Sequence, residues 1–291
     1  HVANPGEIGK TLEGIGAVYG GANNADIGTA EQTSNITLNI NSGMVVNVFG
    51  GNNTGGNIYG TITVNVNKNE ESCGWYVGNV FGGGNLAQYS GDPAVNIFNG
   101  EVSGNVYGGG KGDANDHSKG QVTGNPTVII GDNTEGHESY VATVSGDVYG
   151  GGDAGNVVGT PVVKVVNDCN TQIGKVYGGG NAADVSATSV TIDGGKITGM
   201  VFGGGHGDKD AEPPTEANVN GDVNVLVTGG TINKVFGGSN SKGNIGGVIN
   251  LIIEKGDESC ELHITEVYGG GNEAAGNAGT INIACTGGEG E

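Results

Sequence analysis

Val201-Phe202-Gly203-Gly204 is the stretch that decides the fold of this 291-residue chain. The same phrase, valine followed by Tyr or Phe and then Gly-Gly, occurs nine times at intervals of 25 to 42 residues. The other eight copies begin at Val18, Val48, Val80, Val106, Val148, Val176, Val235 and Val267. A fixed motif separated by variable insertions is the signature of stacked structural repeats. We therefore predict that each phrase marks one turn of a repeat architecture.

The repeat around this copy predicts three short strands. Alternating residues at 189–192 indicate a first strand with its valine and isoleucine on one face. A glycine turn at 193–195 follows, and residues 196–199 and 200–202 predict a second and a third strand. No segment shows a sustained helical period. The sequence therefore predicts an all-β fold, a parallel β-helix or β-solenoid of about nine to ten stacked coils.

A weaker second period leaves one alternative open. Repeats four and seven both read Gly-Gly-Gly-x-Gly-Asp, at 108–113 and 203–208. This pattern suggests triplication of a block of roughly 90 residues, as in a pseudo-threefold β-prism-like fold. For either architecture we expect residues 1–291 to form a single repeat domain. Its polar loop insertions are predicted near 111–125, 131–144 and 206–221.

The valine and the ring of each phrase are neighbours, so they point to opposite faces of a strand. We assign the valine to the core ladder, because β-branched side chains pack well in sheets. Two arrangements of the rings stay open, a second packed surface or an exposed row. An exposed row would make four rings candidate ligand-binding residues: Tyr107, Tyr149, Tyr177 and Phe202.

Two of the predicted loops carry carboxylates that could bind Ca²⁺, whose preferred ligands are oxygen atoms. The candidates are Asp113, Asp116, Asp208, Asp210 and Glu212. The surrounding glycines resemble the calcium-binding nonapeptide repeats of secreted toxins, although the spacing of the aspartate differs. Solvated acidic loops are the simpler interpretation. The histidines near them, His117 and His206, are expected to be exposed and without a special role.

The four cysteines fit the repeat more readily than a disulfide framework. Cys73, Cys169 and Cys260 each lie eight residues before a ring, in repeats three, six and nine. Stacking at strand spacing would place them roughly 14 Å apart, whereas a disulfide needs Cα atoms within about 7 Å. We therefore expect free thiols, with Cys260–Cys285 as the only pair to consider.

Charge and composition exclude some classes of partner. The net charge is −20 and the chain contains no arginine. Such a surface disfavours nucleic acid, whose phosphates need a basic face, and anionic lipid surfaces. No run of 18 apolar residues is present, so we expect no insertion into a membrane.

Val-Phe-Gly-Gly-Gly-Asn at 80–85 and Val-Tyr-Gly-Gly-Gly-Asn at 176–181 resemble the glycine-rich repeats of bacterial surface proteins. Autotransporter passenger domains and polymorphic outer-membrane adhesins carry repeats of this style and are β-helical. The resemblance extends over most of the chain as a repeat style. It implies an extracellular or cell-surface location and transfers no catalytic residue.

The sequence thus favours a non-enzymatic surface or secreted protein that acts in adhesion by binding a glycan or a host surface protein. One alternative is a carbohydrate-active enzyme, because polysaccharide lyases and galacturonan hydrolases include parallel β-helices. Many such lyases use an arginine base, which this chain lacks, although hydrolases need only paired carboxylates. A purely structural stalk is the other alternative.

Overall fold

The structure of the chain is a computed structural model that describes residues 14–69, 74–256, 260–275 and 278–286. Within these ranges the chain forms 23 β-strands, and none of the described residues is helical. Every ladder between the named strands is parallel. The parallel β-solenoid is therefore confirmed, and the pseudo-threefold prism is not the architecture.

Each coil passes through three faces. Face one contains β2 (Ile36–Ile40), β4 (Ile62–Asn67), the first half of β7 (Ala94–Val102), β10 (Thr127–Ile130), β14 (Val162–Val165), β17 (Thr188–Ile192), β19 (Val223–Val227), β21 (Val248–Glu254) and β23 (Thr280–Thr286). Face two contains β1 (Ile15–Tyr19), β3 (Gly43–Phe49), β5 (Trp75–Phe81), the end of β7, β8 (Val106–Tyr107), β11 (Ala142–Val144), β12 (Val148–Tyr149), β15 (Gln172–Ile173), β16 (Val176–Tyr177), β18 (Lys196–Phe202), β20 (Thr231–Phe236) and β22 (His263–Tyr268). Face three contains the short strands β6 (Tyr89–Ser90), β9 (Val122–Thr123) and β13 (Val157–Val158), continued by single bridges through Val185, Val219 and Ile245.

The hydrophobic core lies inside the three faces and is built from ladders of aliphatic side chains. The valine of every phrase from Val48 to Val235 is fully buried in one continuous cluster. A second ladder on face two pairs Ile15, Val45, Val77, Val102, Val144, Ile173, Ile197, Ile232 and Ile264 from coil to coil. Each coil alone has nothing to cover its aliphatic face, so the stacking of coils provides the core.

The rings of the nine phrases form a separate stack. Successive rings from Tyr19 to Tyr268 lie 4.7–5.0 Å apart between centroids, with planes within 3–11° of parallel. The seven inner rings are buried in a cluster of their own. Of the two arrangements that the sequence left open, the packed one is therefore confirmed, and the exposed row is not present.

The glycine after each ring is required by close approach of the next coil. It follows an inward valine and an outward ring, so its own Cβ would point inward again. A Cβ on Gly203 would lie 2.7 Å from Val225 Cγ2, and closer still to the Gly237 carbonyl oxygen and Val223 Cγ1. Gly203 does not have a positive φ. Neither positive φ nor a neighbouring ring explains this glycine, whereas contact with the adjacent coil does.

Two details of the predicted coil differ in the structure. The second and third strands predicted in repeat seven are one strand, β18, with a register shift between Ile197 and Met200. The third face follows the glycines of the phrase and is not formed by residues 200–202. A single bridge such as Val185–Val219 is too short to give an alternating sequence pattern. The predicted insertions near 111–125 and 131–144 contain β9 and β11, respectively.

The expectation of free thiols is wrong for two cysteines, because Cys169 and Cys260 form a disulfide with Cα atoms 5.3 Å apart. Coils seven and eight, which lie between them, turn this corner with short glycine pairs at 194–195 and 229–230. A Cβ on Gly194 would lie 3.0 Å from Asn167 Cα, and one on Gly229 would lie 2.9 Å from the Cys260 carbonyl oxygen. Cys169 and Cys260 therefore meet across these turns. Cys285 is free and exposed, so Cys260–Cys285 is not a pair, and Cys73 lies outside the described residues.

Candidate functional site

Two long polar loops project from the same edge of the solenoid. Residues 111–121 connect the glycines of coil four to β9 on face three. Residues 206–218 connect the glycines of coil seven to the Val219 bridge on the same face. Since both follow the glycine corner, they share one edge and are separated by the three-coil distance of roughly 14 Å.

A polar cleft lies beside the first of these loops. It encloses about 330 Å³, which reaches the lower end of the range for ligand sites. Coils two and three form its floor, and the loop of coil four forms one wall. The lining residues are Thr54, Gly55, Gly56, Asn57, Leu86, Ala87, Gln88, Ser118 and Lys119.

Hydrogen bonds hold the wall of the cleft against its floor. Gln88 Nε2 donates to the Ser118 carbonyl oxygen at 3.0 Å, and the Gly120 N–H donates to the Leu86 carbonyl oxygen at 2.8 Å. The Ser118 hydroxyl donates to Asp116 Oδ1 at 2.5 Å, which fixes the loop tip. The floor is therefore rigid, and the position of the wall is set by its contacts with coil three.

The chemistry of the cleft is that of a hydrogen-bonding site with one cation. Thr54, Asn57 and Gln88 are exposed and present hydroxyl and amide groups. Lys119 is exposed, and no residue in the described part of the chain forms an ion pair with it. Leu86 and Ala87 add a small apolar surface. The lining residues include no carboxylate, while Asp26 and Asp116 accept hydrogen bonds from the lining residues Asn57 and Ser118.

The acidic residues predicted as Ca²⁺ ligands lie at the two loops but do not converge. Asp113 and Asp116 face each other across a short antiparallel bridge, and their Oδ1 atoms accept the N–H groups of Asn115 and Ser118. Asp208 Oδ1 likewise accepts the Asp210 N–H at 2.9 Å.

The second loop also keeps its acidic side chains apart. Asp210 pairs with Lys209 at 2.7 Å, and Glu212 is exposed. Within 14–69, 74–256, 260–275 and 278–286, no three His, Cys, Asp or Glu side chains are grouped to hold a metal ion.

The four rings predicted to bind a ligand occupy the middle of the buried stack. Tyr107 and Tyr149 are 3% exposed, and Tyr177 and Phe202 are fully buried. A neighbouring ring covers each face of each of them. Their faces are therefore not available to a ligand, and their role in this structure is packing.

Burial also controls the ionisation of the stacked phenols. Loss of solvent raises the pKa of Tyr107, Tyr149 and Tyr177 well above the usual range. For Tyr107 the nearby carboxylate of Asp153 raises the pKa further, and for Tyr149 and Tyr177 Asp147 does so. These phenols are therefore neutral in the folded protein.

Asparagine ladders flank the ring stack, and the sequence interpretation missed them. The fourth residue after the ring is asparagine in six phrases: Asn23, Asn53, Asn85, Asn181, Asn240 and Asn272. Four of these side-chain amides donate to the amide or carboxylate oxygen one coil before them, as in Asn85 to Asn53 at 2.9 Å and Asn181 to Asp153 at 2.8 Å. Asn240 Nδ2 donates instead to the Tyr177 hydroxyl. A fixed offset from the ring was the signal that could have revealed this ladder.

His206 occupies the same ladder position in coil seven. Its Nδ1 lies 2.8 Å from Asn181 Oδ1, and its ring lies 5.4 Å from that of Tyr177. The expectation that it is exposed and without a role is therefore wrong, because it is half-buried and continues the ladder. Burial, and then the positive charge of Lys175, lowers the pKa of His206.

No protein-family model, curated protein or solved structure gives a significant match to this chain. Among the described residues there is no helix of the length and hydrophobicity needed to cross a membrane.

Proposed function

We propose that this chain is a non-enzymatic extracellular or cell-surface solenoid that binds a glycan in the cleft beside the 111–121 loop. The observation that carries the proposal is the polar cleft itself, with its hydroxyl and amide groups, its single cation and its rigid floor. The solenoid supplies the rigid scaffold on which function is commonly placed in loops.

The lining chemistry suits a sugar better than an apolar ligand. Sugar hydroxyls both donate and accept hydrogen bonds, as the hydroxyl of Thr54 and the amides of Asn57 and Gln88 do. The apolar surface of Leu86 and Ala87 can cover the C–H face of a sugar ring. The ammonium group of Lys119 favours a sugar that carries a carboxylate, because charge-assisted hydrogen bonds are the stronger class.

The disulfide supports a location outside the reducing cytosol. Disulfides form and persist in oxidising compartments such as the periplasm and the extracellular space. Cys169–Cys260 joins coils six and nine across the two coils between them. This bond and the acidic surface are together suited to a surface or secreted protein.

A glycan array with neutral and carboxylate-bearing sugars tests the proposal. Lys119→Ala is expected to weaken binding of an acidic glycan about tenfold, equivalent to about 1.4 kcal/mol. Lys111→Ala is the matched control, because Lys111 lies in the same loop, is exposed and does not line the cleft. Gln88→Ala is expected to weaken neutral and acidic glycans alike. Equal effects of the two lysine substitutions would contradict a glycan site in this cleft.

A structural stalk is the second candidate, and the unbroken ring stack from Tyr19 to Tyr268 favours it. A stalk needs rigid length and no ligand. An array on which the chain binds neither glycans nor immobilised surface proteins would select the stalk over the glycan-binding role.

A further inference from the structure

The outer side of face one has a distinctive composition. Each of its nine strands contributes one residue to each of two outward rows, which stay in register along the solenoid. The first row contains Thr37, Thr63, Ala94, Thr127, Val162, Ser189, Asn224, Asn250 and Asn282. The second row contains Asn39, Asn65, Asn96, Ile129, Lys164, Thr191, Leu226, Ile252 and Ala284. We call these eighteen residues the outer face-one surface, in which Lys164 is the only charged side chain.

The outer side of face two is charged by comparison. The residues one position before its phrase valines include Asp147, Lys175, Lys234 and Glu266. These four form two ion pairs, at 3.6 and 2.9 Å. On face one, the Lys164 ammonium lies 3.3 Å from a carboxylate oxygen of Asp193 at the following corner, so its charge is paired. The outer face-one surface therefore contains no carboxylate, on a chain whose net charge is −20.

The outer face-one surface is exposed and is ordered by its own hydrogen bonds. Each of its eighteen residues is at least partly exposed, and Ile252 is 39% exposed. Side-chain amides bond along the rows, from Asn65 to Asn39 at 2.8 Å and from Asn250 to Asn224 at 3.0 Å. Because these side chains are already ordered, binding a partner here costs less conformational entropy.

The size of the surface is that of one side of a specific protein interface. Nine strands about 4.8 Å apart, each with about five residues in the sheet, cover roughly 38 by 17 Å, or about 650 Å². Covering one such surface on each of two molecules removes about 1,300 Å² from solvent, within the range of about 1,200–2,000 Å² for stable interfaces.

The absence of carboxylates limits what can cover this surface. Burying an unpaired charge costs several kcal/mol, and the cores of protein interfaces are depleted of charged residues. A matching partner is therefore extended and uncharged. It presents aliphatic groups to Ile129, Leu226 and Ile252, and hydrogen-bonding groups to the threonines and asparagines. The same surface on a second copy of the chain meets each of these requirements.

We infer that two copies of this chain associate through the outer face-one surface, with sheet packed on sheet. Packed sheets lie about 10 Å apart and interdigitate their side chains. The same surface is used on both copies, so the contact closes as a symmetric dimer and adds no further copies. This association does not depend on the proposed glycan cleft, which none of the eighteen residues lines.

Charge gives the dimer a defined salt dependence. Each copy has a net charge of −20, which opposes association. Contact through the outer face-one surface brings no carboxylates of that surface together, so the remaining repulsion acts between groups elsewhere on the two copies. Salt screens such repulsion, and we expect the dimer to become more stable as ionic strength rises.

Sedimentation velocity of the full 291-residue chain, over a series of protein and salt concentrations, tests the inference. The unmodified chain is expected to form a dimer of twice 28.8 kDa. Ser189→Asp and Leu226→Asp each place a carboxylate in the outer face-one surface. Each is expected to weaken dimerisation by more than about tenfold, because a symmetric contact buries the new charge twice. Thr231→Asp is the matched control, because Thr231 is exposed on face two, and it should dimerise like the unmodified chain.

The opposing outcomes are equally defined, with circular dichroism used to establish that each variant is folded. A chain that remains monomeric throughout the series would overturn the inference, as would assemblies larger than a dimer. Folded Ser189→Asp and Leu226→Asp that dimerise as well as Thr231→Asp would also overturn it. A monomeric chain that loses binding to neutral glycans in these two variants, and not in Thr231→Asp, would assign the surface to a glycan instead.

Discussion

Gly203→Val is expected to destabilise the solenoid far more than Thr191→Val in the same coil. Thr191 lies on face one, and Gly203 lies at the corner that follows face two. Gly203 faces inward at the corner, against the carbonyl of Gly237 and the methyl groups of Val223 and Val225. Thr191 faces outward between Lys164 and Leu226 of the neighbouring coils.

The magnitude follows from these contacts. Even a lone Cβ on Gly203 would lie 2.7 Å from Val225 Cγ2, well inside an ordinary carbon–carbon contact of about 3.5–4.0 Å. Overpacking of this kind costs about 1–3 kcal/mol. Moving the coil away to relieve it lengthens the Gly203 N–H bond to the Phe236 carbonyl, now 2.9 Å, at a further cost of about 1 kcal/mol. We expect a loss of about 2–4 kcal/mol for Gly203→Val and close to zero for Thr191→Val.

Urea titrations followed by circular dichroism measure both losses, and amide hydrogen exchange locates them in coils seven and eight. Gly270→Ala is a matched glycine control, because it occupies the last phrase and no atom lies within 4 Å of the position of its Cβ. Gly238→Ala occupies the same place one coil earlier, where the Cβ would lie 2.7 Å from the Gly271 nitrogen. Equal unfolding free energies for Gly203→Val and Thr191→Val would refute close coil contact as the reason for the glycines.

Three further outcomes are expected. Cys169→Ser should lower the unfolding free energy by about 2–5 kcal/mol, because the disulfide closes a loop with a sequence separation of 91. In the unreduced, denatured chain, a thiol titration should leave Cys169 and Cys260 unreacted. His206→Asn should flatten the fall in stability below about pH 6.5. Because the folded pKa of His206 is lowered, this residue contributes stability above the unfolded pKa that is lost as the pH falls. Alkaline unfolding should begin above about pH 10, because a phenol whose pKa is raised in the folded protein loses its stabilising contribution once the pH exceeds its pKa in the unfolded chain. Tyr149→Phe should shift this unfolding to higher pH.

The repeat phrase was sufficient to predict the architecture. Alternation at 189–192 matched the observed β17 because strand patterns are local. Face three was not predicted, since a single bridge residue such as Val185 leaves no alternating pattern. Local sequence patterns thus predicted the strands of every face that contains at least a few consecutive strand residues.

The role of the rings depended on information outside each repeat. Tyr and Phe exchange freely along the stack, which suits either buried or exposed rings, so composition alone left both open. The deciding contacts join different coils, as when Asn240 Nδ2 of coil eight donates to the Tyr177 hydroxyl of coil six at 3.0 Å. The asparagine found four residues after six of the nine rings would have favoured burial, because side-chain amides align in ladders only where coils stack in register.

The disulfide shows why a repeat position is a poor measure of distance at a corner. Strand spacing determines the separation of residues on a face, because every coil contributes one rung there. At a corner, each coil contributes a loop of its own length, and the loops of coils seven and eight are only glycine turns. Those short turns leave room above them, and Cys169 and Cys260 come together there across two coils. The loops at 166–171 and 255–262 are longer than the turns at 193–195 and 228–230 between them. Had these lengths been compared in addition to the cysteine offsets, Cys169–Cys260 would have been the first pair to test.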